Sequence, residues 1–303
     1  MNYEKFVKLV ENKLKESIDD NHKVNYQKVM KNNDTELDSI CIMEKDSKIA
    51  PTIYLNQYYD DFVAGESIDD IICGILKVSQ TRGPANFAAV DVLDYEYARD
   101  KIMFKLINRK SNEKRLKSIV YKDYLDMAIT YFVLISRDDE GNASATITNQ
   151  MLEHWNVSIE EIDNQAKINS QKELPAVIQS MSNIVMELVE CDNLKDEIEF
   201  QQYMNEPEDT MYVISNNSKI NGAATILYDG ILEKFANKHK LDKIIILPSS
   251  IHECILLSQY NEDNKADIAN MVKEVNSTSV SREEVLSDSV YVYDKATGEI
   301  SIL

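Results

Sequence analysis

Glycine and proline are scarce in this chain, which has 7 glycines and 5 prolines among 303 residues. Both counts are well below average usage, so the sequence argues against long flexible linkers and low-complexity tails. An all-β fold also needs many tight turns, which these two residues usually supply. The scarcity therefore favours a mixed fold that is rich in helices.

Cysteine is also sparse and widely spaced. Cys41, Cys73, Cys191 and Cys254 form no C-x-x-C pair of the kind that builds zinc or redox sites. We expect all of them to be reduced thiols that pack like small apolar side chains. The sequence accordingly predicts no metal site and no cofactor.

Long apolar runs and an excess of positive charge are missing as well. No run approaches the roughly 20 residues of a membrane span, and Met1-Asn-Tyr-Glu-Lys-Phe begins an amphipathic pattern instead of a signal peptide. The 33 basic side chains are outnumbered by 52 acidic ones, which gives a net charge of -19. Such a charge repels nucleic-acid phosphates and anionic lipids. We expect a cytoplasmic protein that binds neither nucleic acid nor membranes.

The apolar residues that are present indicate an α+β fold. A hydrophobic content of 44% is ample for a packed core, and helical and strand patterns are mixed along the chain. We predict two lobes, each a small, mostly antiparallel sheet with packed helices. The basic segment Arg109–Lys117 stands out in an acidic chain, either as a solvated linker or as a docking patch. We place the boundary just after it, which gives lobes of residues 1–120 and 121–303.

The N-terminal lobe is predicted to begin with an amphipathic helix over residues 2–18 and a hairpin whose second strand is Leu37–Met43. A short helix should then end at Gly65, and Ser67 should cap the next one. Residues 92–107 again show helical spacing.

The C-terminal lobe is predicted to begin with the strand Met127–Ser136, which returns through a turn as a hairpin. Ser158 and Glu161 form a capping box, so a helix should start at Ile159, and Trp155 just before it should pack in the core. The remaining elements are strands and helices of ordinary length, predicted at 211–215, 231–236, 244–247, 266–275, 290–293 and 300–303.

The most informative stretch is Lys243–Leu257, where polar residues separate two apolar runs short enough to be buried strands. Ser249, Ser250, His252 and Glu253 fall in the interruption, and polar side chains at strand ends commonly bind or react. If this segment continues as a strand, residues 250 and 252 share a face, and a carboxylate could orient a Ser250–His252 dyad.

A structural interpretation of the same residues stays open. The two serines can instead cap a turn after Pro248. His252 would then be a satisfied member of a buried hydrogen-bond network.

A second candidate is Ser215–Ala224, in which Asn217, Lys219 and Asn221 could present donors to a ligand near Gly222. The alternative is an ordinary turn between two elements. If this segment and the 249–253 cluster meet in space, the case for a shared binding site is stronger.

The chain also has 16 tyrosines, of which Tyr54, Tyr58 and Tyr59 could line a groove for a peptide or ring-bearing ligand. Core packing with the hydroxyls reaching the surface is the default interpretation.

Several of these segments resemble signatures of a bacterial family of unknown function that is common in gut Gram-positive anaerobes. They are Ala50–Tyr59, Ser218–Ala224 and Ile246–Glu253, and the resemblance spans nearly the whole chain. The half from Met127 onward, with His154–Glu161, is loosely similar to a second uncharacterised bacillus-type family. The resemblance implies a bacterial, cytoplasmic protein and carries no activity.

No complete catalytic motif is present: the sequence has no G-x-x-x-x-G-K-[ST] phosphate loop, no G-x-G-x-x-G fingerprint and no G-x-S-x-G nucleophile elbow. A binding, accessory or regulatory protein with an unknown protein or small-molecule partner is therefore the favoured hypothesis. The alternative is a hydrolase or transferase that uses Ser250 and His252, with Glu253 nearby.

Overall fold

Helices and antiparallel strands are mixed along the chain, as expected for the α+β class. The computed structural model describes residues 1–45, 50–81, 92–138, 141–192, 210–259 and 264–303. The chain divides into two compact units, residues 1–91 and residues 92–303.

The helices of the described residues are α1 (Tyr3–Ser17), α2 (Leu55–Ala64), α3 (Ile68–Thr81), α4 (Tyr95–Ala98), α5 (Glu113–Leu116), α6 (Asn149–Trp155), α7 (Ile159–Glu173), α8 (Met181–Asp192), α9 (Ile231–His239) and α10 (Lys265–Thr278). The strands are β1 (His22–Met30), β2 (Glu36–Glu44), β3 (Ile53–Tyr54), β4 (Ile102–Asn108), β5 (Tyr121–Tyr124), β6 (Met127–Asp138), β7 (Gly141–Thr146), β8 (Ala176–Ser180), β9 (Met211–Asn216), β10 (Lys243–Pro248), β11 (Cys254–Leu257), β12 (Tyr291–Asp294) and β13 (Glu299–Ile302).

The first unit follows its sequence pattern closely. The Asn2 side chain caps α1 by accepting from the Lys5 N–H, and α2 ends at Gly65 in the left-handed conformation. The Ser67 hydroxyl accepts from the Asp70 N–H at the start of α3. These helices pack on the antiparallel sheet β1-β2-β3. The core is formed by their buried apolar faces, including Phe6, Val10, Leu14, Ile40, Leu55, Ile71 and Ile75.

The second unit contains two antiparallel sheets. The four-stranded sheet is centred on the long strand β6, which pairs with β4 along one edge and with β5 and then β7 along the other. The six-stranded sheet has the order β13-β12-β10-β11-β9-β8. A single apolar core joins the two sheets and includes Leu106, Tyr131, Trp155, Ile244 and Tyr291.

The helix predicted over residues 92–107 is wrong in its second half. Helix α4 is one turn long, a 3-10 turn follows at Arg99–Lys101, and β4 then begins at Ile102. Residues 102–104, 106 and 107 are all buried, so the apolar run covers both faces of a strand. Such a run has no period that separates a buried strand from a buried helix.

Helix α7 covers the free edge of β4. The Ser170 hydroxyl accepts from the Phe104 N–H at 3.1 Å, and the Asn169 amide donates to the Ile102 carbonyl at 3.0 Å. These side chains take the place of a neighbouring strand, so the edge has partners for its backbone groups. Because β4 belongs to this unit, the division of the chain falls at residues 91 and 92 and not near residue 120.

A buried carboxylate fixes α7 to the same sheet. Asp163 accepts from the Tyr131 hydroxyl at 2.9 Å, from Lys122 at 2.9 Å and from Lys167 at 3.1 Å. Burial alone would raise the pKa of Asp163, but the hydrogen bonds from Lys122, Lys167 and Tyr131 outweigh it and lower the pKa. Asp163 is therefore ionised in the folded protein near neutral pH.

Candidate functional site

The polar cluster predicted from the sequence lies in the turn between β10 and β11. Strand β10 ends at Pro248 and β11 begins at Cys254, so residues 249–253 are not part of a strand. The same-face argument for Ser250 and His252 therefore does not hold. The prediction of a strand on either side is confirmed; β10 is buried, and β11 alternates between buried and partly exposed residues.

The serines of this turn hold the turn itself. The Ser250 hydroxyl accepts from the His252 backbone N–H at 3.0 Å, and the Ser250 N–H donates to the Glu253 carbonyl at 3.2 Å. The Ser249 hydroxyl donates to Glu253 Oε1 at 3.4 Å. Short polar side chains that bond to nearby backbone in this way stabilise turns.

The two ring nitrogens of His252 have different surroundings. Its Nδ1 accepts from the Asn221 backbone N–H at 3.1 Å, so in the neutral ring the proton lies on Nε2. Nε2 is 3.6 Å from Glu284 Oε1, too far for a hydrogen bond but close enough for electrostatic attraction. The side chain is 31% exposed. The imidazole is thus oriented by Asn221 and Glu284, and the contact between His252 and Ser250 runs through the backbone.

The two predicted segments do meet in space. The Ser215 hydroxyl donates to the His252 carbonyl at 2.8 Å, and the Ala223 N–H donates to the Ile251 carbonyl at 3.3 Å. A Cβ on Gly222 would lie 2.6 Å from the His252 carbonyl oxygen. The close backbone approach that we predicted at Gly222 is therefore made to the protein's own chain.

The proposed donors of the second segment are dispersed. Asn217 and Lys219 are exposed, and the Asn217 side-chain oxygen accepts from Arg137 at 3.2 Å. Asn221 contacts His252 through its backbone N–H and has a left-handed conformation, with φ of 55°. The geometry of this region is that of two turns which brace each other.

A different concave region lies elsewhere in the second unit, and sequence reasoning missed it. We call it the acidic cleft; it has a volume of 550 Å³ and is bordered by the end of β5, the start of α9 and the β12–β13 hairpin. Its polar lining consists mainly of tyrosines and carboxylates, namely Tyr124, Asp229, Glu233, Tyr293 and Glu299. These residues are scattered over three sequence regions, and no local pattern marks them.

Two tyrosine hydroxyls at the acidic cleft are unused by the fold. Tyr293 is 6% exposed, and neither its hydroxyl nor that of Tyr124 has a hydrogen-bond partner among the described residues. Burial, followed by the charge of Glu233, raises the pKa of Tyr293. Burial and the charge of Glu299 raise the pKa of Tyr124. Both phenols therefore stay neutral and able to donate or accept a hydrogen bond.

The carboxylates of the cleft differ in whether they have a hydrogen-bond partner. Asp229 accepts from the Gln171 side chain at 3.3 Å. Glu233 and Glu299 are exposed at the rim, and within the described part of the chain neither carboxylate has an ion-pair or hydrogen-bond partner. No Lys, Arg or His is among the described residues that line the cleft.

Other residues singled out from the sequence have structural roles. Trp155 is buried, and its indole N–H donates to the Leu93 carbonyl at 2.9 Å, so the core role predicted for it is confirmed. Tyr59 packs edge-on against Phe6 in the first unit. In the basic segment, Arg109 pairs with Asp123 at 2.6 Å.

The described residues contain neither a metal-binding cluster nor a membrane-spanning helix. They contain no group of three or more His, Cys, Asp or Glu side chains arranged to hold a metal ion. None of their helices combines the length and the apolar character that crossing a membrane requires.

The fold and the cleft define an α+β protein of two units, with an open, acidic, tyrosine-lined cleft in the second. The chain belongs to the family of unknown function DUF5688, whose profile matches residues 3–295. No curated protein and no solved structure matches the chain.

Proposed function

We propose that this protein binds a small molecule in the acidic cleft and has an accessory or regulatory role. The observation that carries the proposal is the Tyr293 hydroxyl, which is unpaired within the described residues although the residue is nearly buried. The hydroxyl itself is open to the cleft, because it is not among the fully buried polar atoms that lack a partner. A ligand in the cleft can therefore supply the hydrogen-bond partner that the fold does not.

The size and construction of the acidic cleft support the same proposal. Its 550 Å³ falls within the ordinary range of small-molecule sites. Its walls are the hairpin β12–β13 and the first turn of α9, which are regular elements packed on the core. Side chains on such elements are held in place before the ligand arrives, which reduces the entropic cost of binding.

The proposal also covers the cellular location of the protein and the kinds of partner that it does not bind. We place the protein in the bacterial cytoplasm, without a nucleic-acid or membrane partner. The net charge of -19 supports the exclusion of polyanions.

The proposal is tested by a thermal-shift screen of a small-molecule library against the full chain, with two matched variants. Ile300→Trp places a large ring at a residue that lines the cleft. Ile302→Trp adds the same ring at an exposed position on the same strand, outside the cleft lining. A ligand that binds only the folded protein raises the melting temperature, by an amount that grows with the logarithm of its concentration relative to its Kd.

Compounds that stabilise the wild type and Ile302→Trp, but not Ile300→Trp, are expected. Circular dichroism checks that both variants are folded. Binders that stabilise Ile300→Trp as well as the wild type would place the ligand site elsewhere and contradict the proposal.

The alternative function, a hydrolase or transferase using Ser250 and His252, has one supporting observation. The Nε2 edge of His252 is partly exposed and has the Glu284 carboxylate 3.6 Å away. Against it, the Ser250 hydroxyl is held by the His252 backbone N–H, and the described contacts include no bond from that hydroxyl to the imidazole. Hydrolysis of activated esters by the wild type that disappears in Ser250→Ala would favour this alternative.

A further inference from the structure

We propose that the ligand of the acidic cleft is an organic cation, a molecule with an ammonium group attached to an apolar chain or ring. This inference rests on the proposed function, because it names the ligand class of the same site. It is carried by the conjunction of unpaired carboxylates, a nearly buried unpaired tyrosine and apolar wall residues at one cavity.

The charges that line the cleft favour a positively charged ligand. Asp229, Glu233 and Glu299 all line the cleft, and none of its described lining residues is basic; one lysine, Lys234, lies beside it, with its Cε 4.0 Å from the Cβ position of Gly230. The positive end of the α9 helix dipole borders the same space, but Glu233 lies in its first turn and compensates it. The remaining carboxylates leave a net negative field, which attracts a cation and repels an anion.

The tyrosines favour an ammonium group over a bare metal ion. A neutral phenol hydroxyl accepts a hydrogen bond from an ammonium N–H, and the face of the ring attracts a cation by about 0.5 to 1 kcal/mol at an exposed site. Tyr293 has this hydroxyl available within the described residues, since it forms no bond there. A metal ion would instead need several converging oxygen ligands. The described residues contain no such metal-binding group.

Apolar residues of the same cleft can contact the hydrocarbon portion of the ligand. Leu232 and Ile300 line it next to the polar groups. Burying a methylene group against such surface contributes about 0.8 kcal/mol. A ligand with both an ammonium group and a hydrocarbon portion therefore fits the site better than an inorganic cation.

The test compares three probes with the same carbon chain: n-hexylammonium, n-hexanol and n-hexanoate. Calorimetric titration of the full chain is expected to show that the ammonium probe binds about tenfold more tightly than the other two. The factor is not larger because ion pairing and cation–π attraction at exposed groups each contribute little. The preference should weaken as salt is added.

A charge-neutralised double variant isolates the carboxylates. Glu233→Gln with Glu299→Gln should lower hexylammonium affinity about tenfold and leave hexanol unchanged. The control, Asp267→Asn with Glu274→Gln, removes the same charge from exposed positions on α10 and should leave all probes unchanged. Glu299→Arg, at an exposed rim position, should reverse the preference toward hexanoate.

Each other outcome contradicts the inference in a distinguishable way. Equal affinity for the three probes, lost in Ile300→Trp, would overturn the cationic ligand and leave the cleft as a binding site. Hexylammonium binding that survives in Ile300→Trp or weakens equally in the control pair would overturn the site itself. If hexylammonium does not bind at all, the ligand class is wrong, and the library screen alone decides the proposed function.

Discussion

At the scale of single residues, the second unit uses some polar groups to hold the fold and leaves others unused. The Tyr291 hydroxyl donates to Asp126 at 2.6 Å, and the Tyr228 hydroxyl donates to the Leu174 carbonyl at 3.1 Å. Tyr293, two residues after Tyr291 on the same face of β12, has no such partner in the described residues. We expect these two tyrosines on one face of β12 to contribute differently to stability, which unfolding measurements can show.

We expect Tyr291→Phe to lower the free energy of unfolding by about 1.5 to 3 kcal/mol, because it removes a partly buried hydrogen bond to a carboxylate. Tyr293→Phe removes an unpaired hydroxyl and should change stability by less than about 0.5 kcal/mol, or increase it. Urea unfolding followed by circular dichroism measures both. Equal losses in the two variants would mean that Tyr293 is a structural residue.

The buried Asp163 makes stability depend on pH. Its pKa is lowered from the ordinary value of 3.8, so the unfolded chain takes up a proton more readily. The stabilisation is complete above about pH 4 and is lost as the pH falls through the lower folded value. Asp163→Asn should therefore cost on the order of 2 kcal/mol at pH 7, and the difference from the wild type should shrink below pH 3.8.

Unfolding in urea between pH 3 and pH 7 measures this difference. The control is Asp123→Asn, whose mostly exposed carboxylate pairs with Arg109 and should be worth less than about 1 kcal/mol. A gap between wild type and Asp163→Asn that stays constant down to pH 3 would contradict the assignment.

At the scale of elements, the sequence predicts those whose local pattern agrees with their environment. Helix α1, the β1–β2 hairpin and the Gly65 and Ser67 helix ends were all predictable, because period, caps and turn residues coincide. Strand β4 was not predictable, because its burial on both faces depends on α7 and on the distant strand β6.

The candidate sites differ in the same way: one was predictable from the local sequence and the other was not. Local polarity was enough to find the 249–253 turn and its contact with Asn221. The acidic cleft was not predictable, because Tyr124, Glu233 and Tyr293 come together only through the pairing of strands far apart in the chain. A site of this kind has no sequence period or motif.

The two bracing turns depend on Gly222. A Cβ there would lie 2.1 Å from Ser215 Oγ and 2.6 Å from both the Asn216 nitrogen and the His252 carbonyl oxygen. Two of these atoms are backbone and cannot move without shifting β9 or the 249–253 turn. Gly222→Ala should therefore lower the free energy of unfolding by about 3 kcal/mol or more, measured by urea unfolding.

The matched control is Gly74→Ala in the middle of α3. Its Cβ would meet only a Tyr58 ring atom at 3.7 Å, an ordinary contact. Because alanine is the better helix former, this variant should stabilise its unit by about 0.5 to 1 kcal/mol. A Gly222→Ala protein as stable as the wild type would show that the two turns can separate without cost.

At the scale of the whole molecule, the chain combines two units with separate apolar cores. Residues 1–91 have their core around Phe6 and Ile75, and residues 92–303 have theirs around Tyr131 and Ile246. The family profile spans both units. The acidic cleft belongs to the second unit alone, so its binding should not require the first.

A fragment that starts at the division between the two units should fold by itself, whereas a shorter one should not. Residues 92–303 should fold with a cooperative thermal transition and keep the binding properties of the cleft. Residues 121–303 lack β4, whose seven residues all pair with β6 and whose Ile102, Phe104 and Leu106 are buried in the core. Their loss opens a cavity and exposes an edge of β6, so this shorter fragment should not unfold cooperatively. Melting curves followed by near- and far-ultraviolet circular dichroism compare the two, and equal cooperativity would restore a boundary near residue 120.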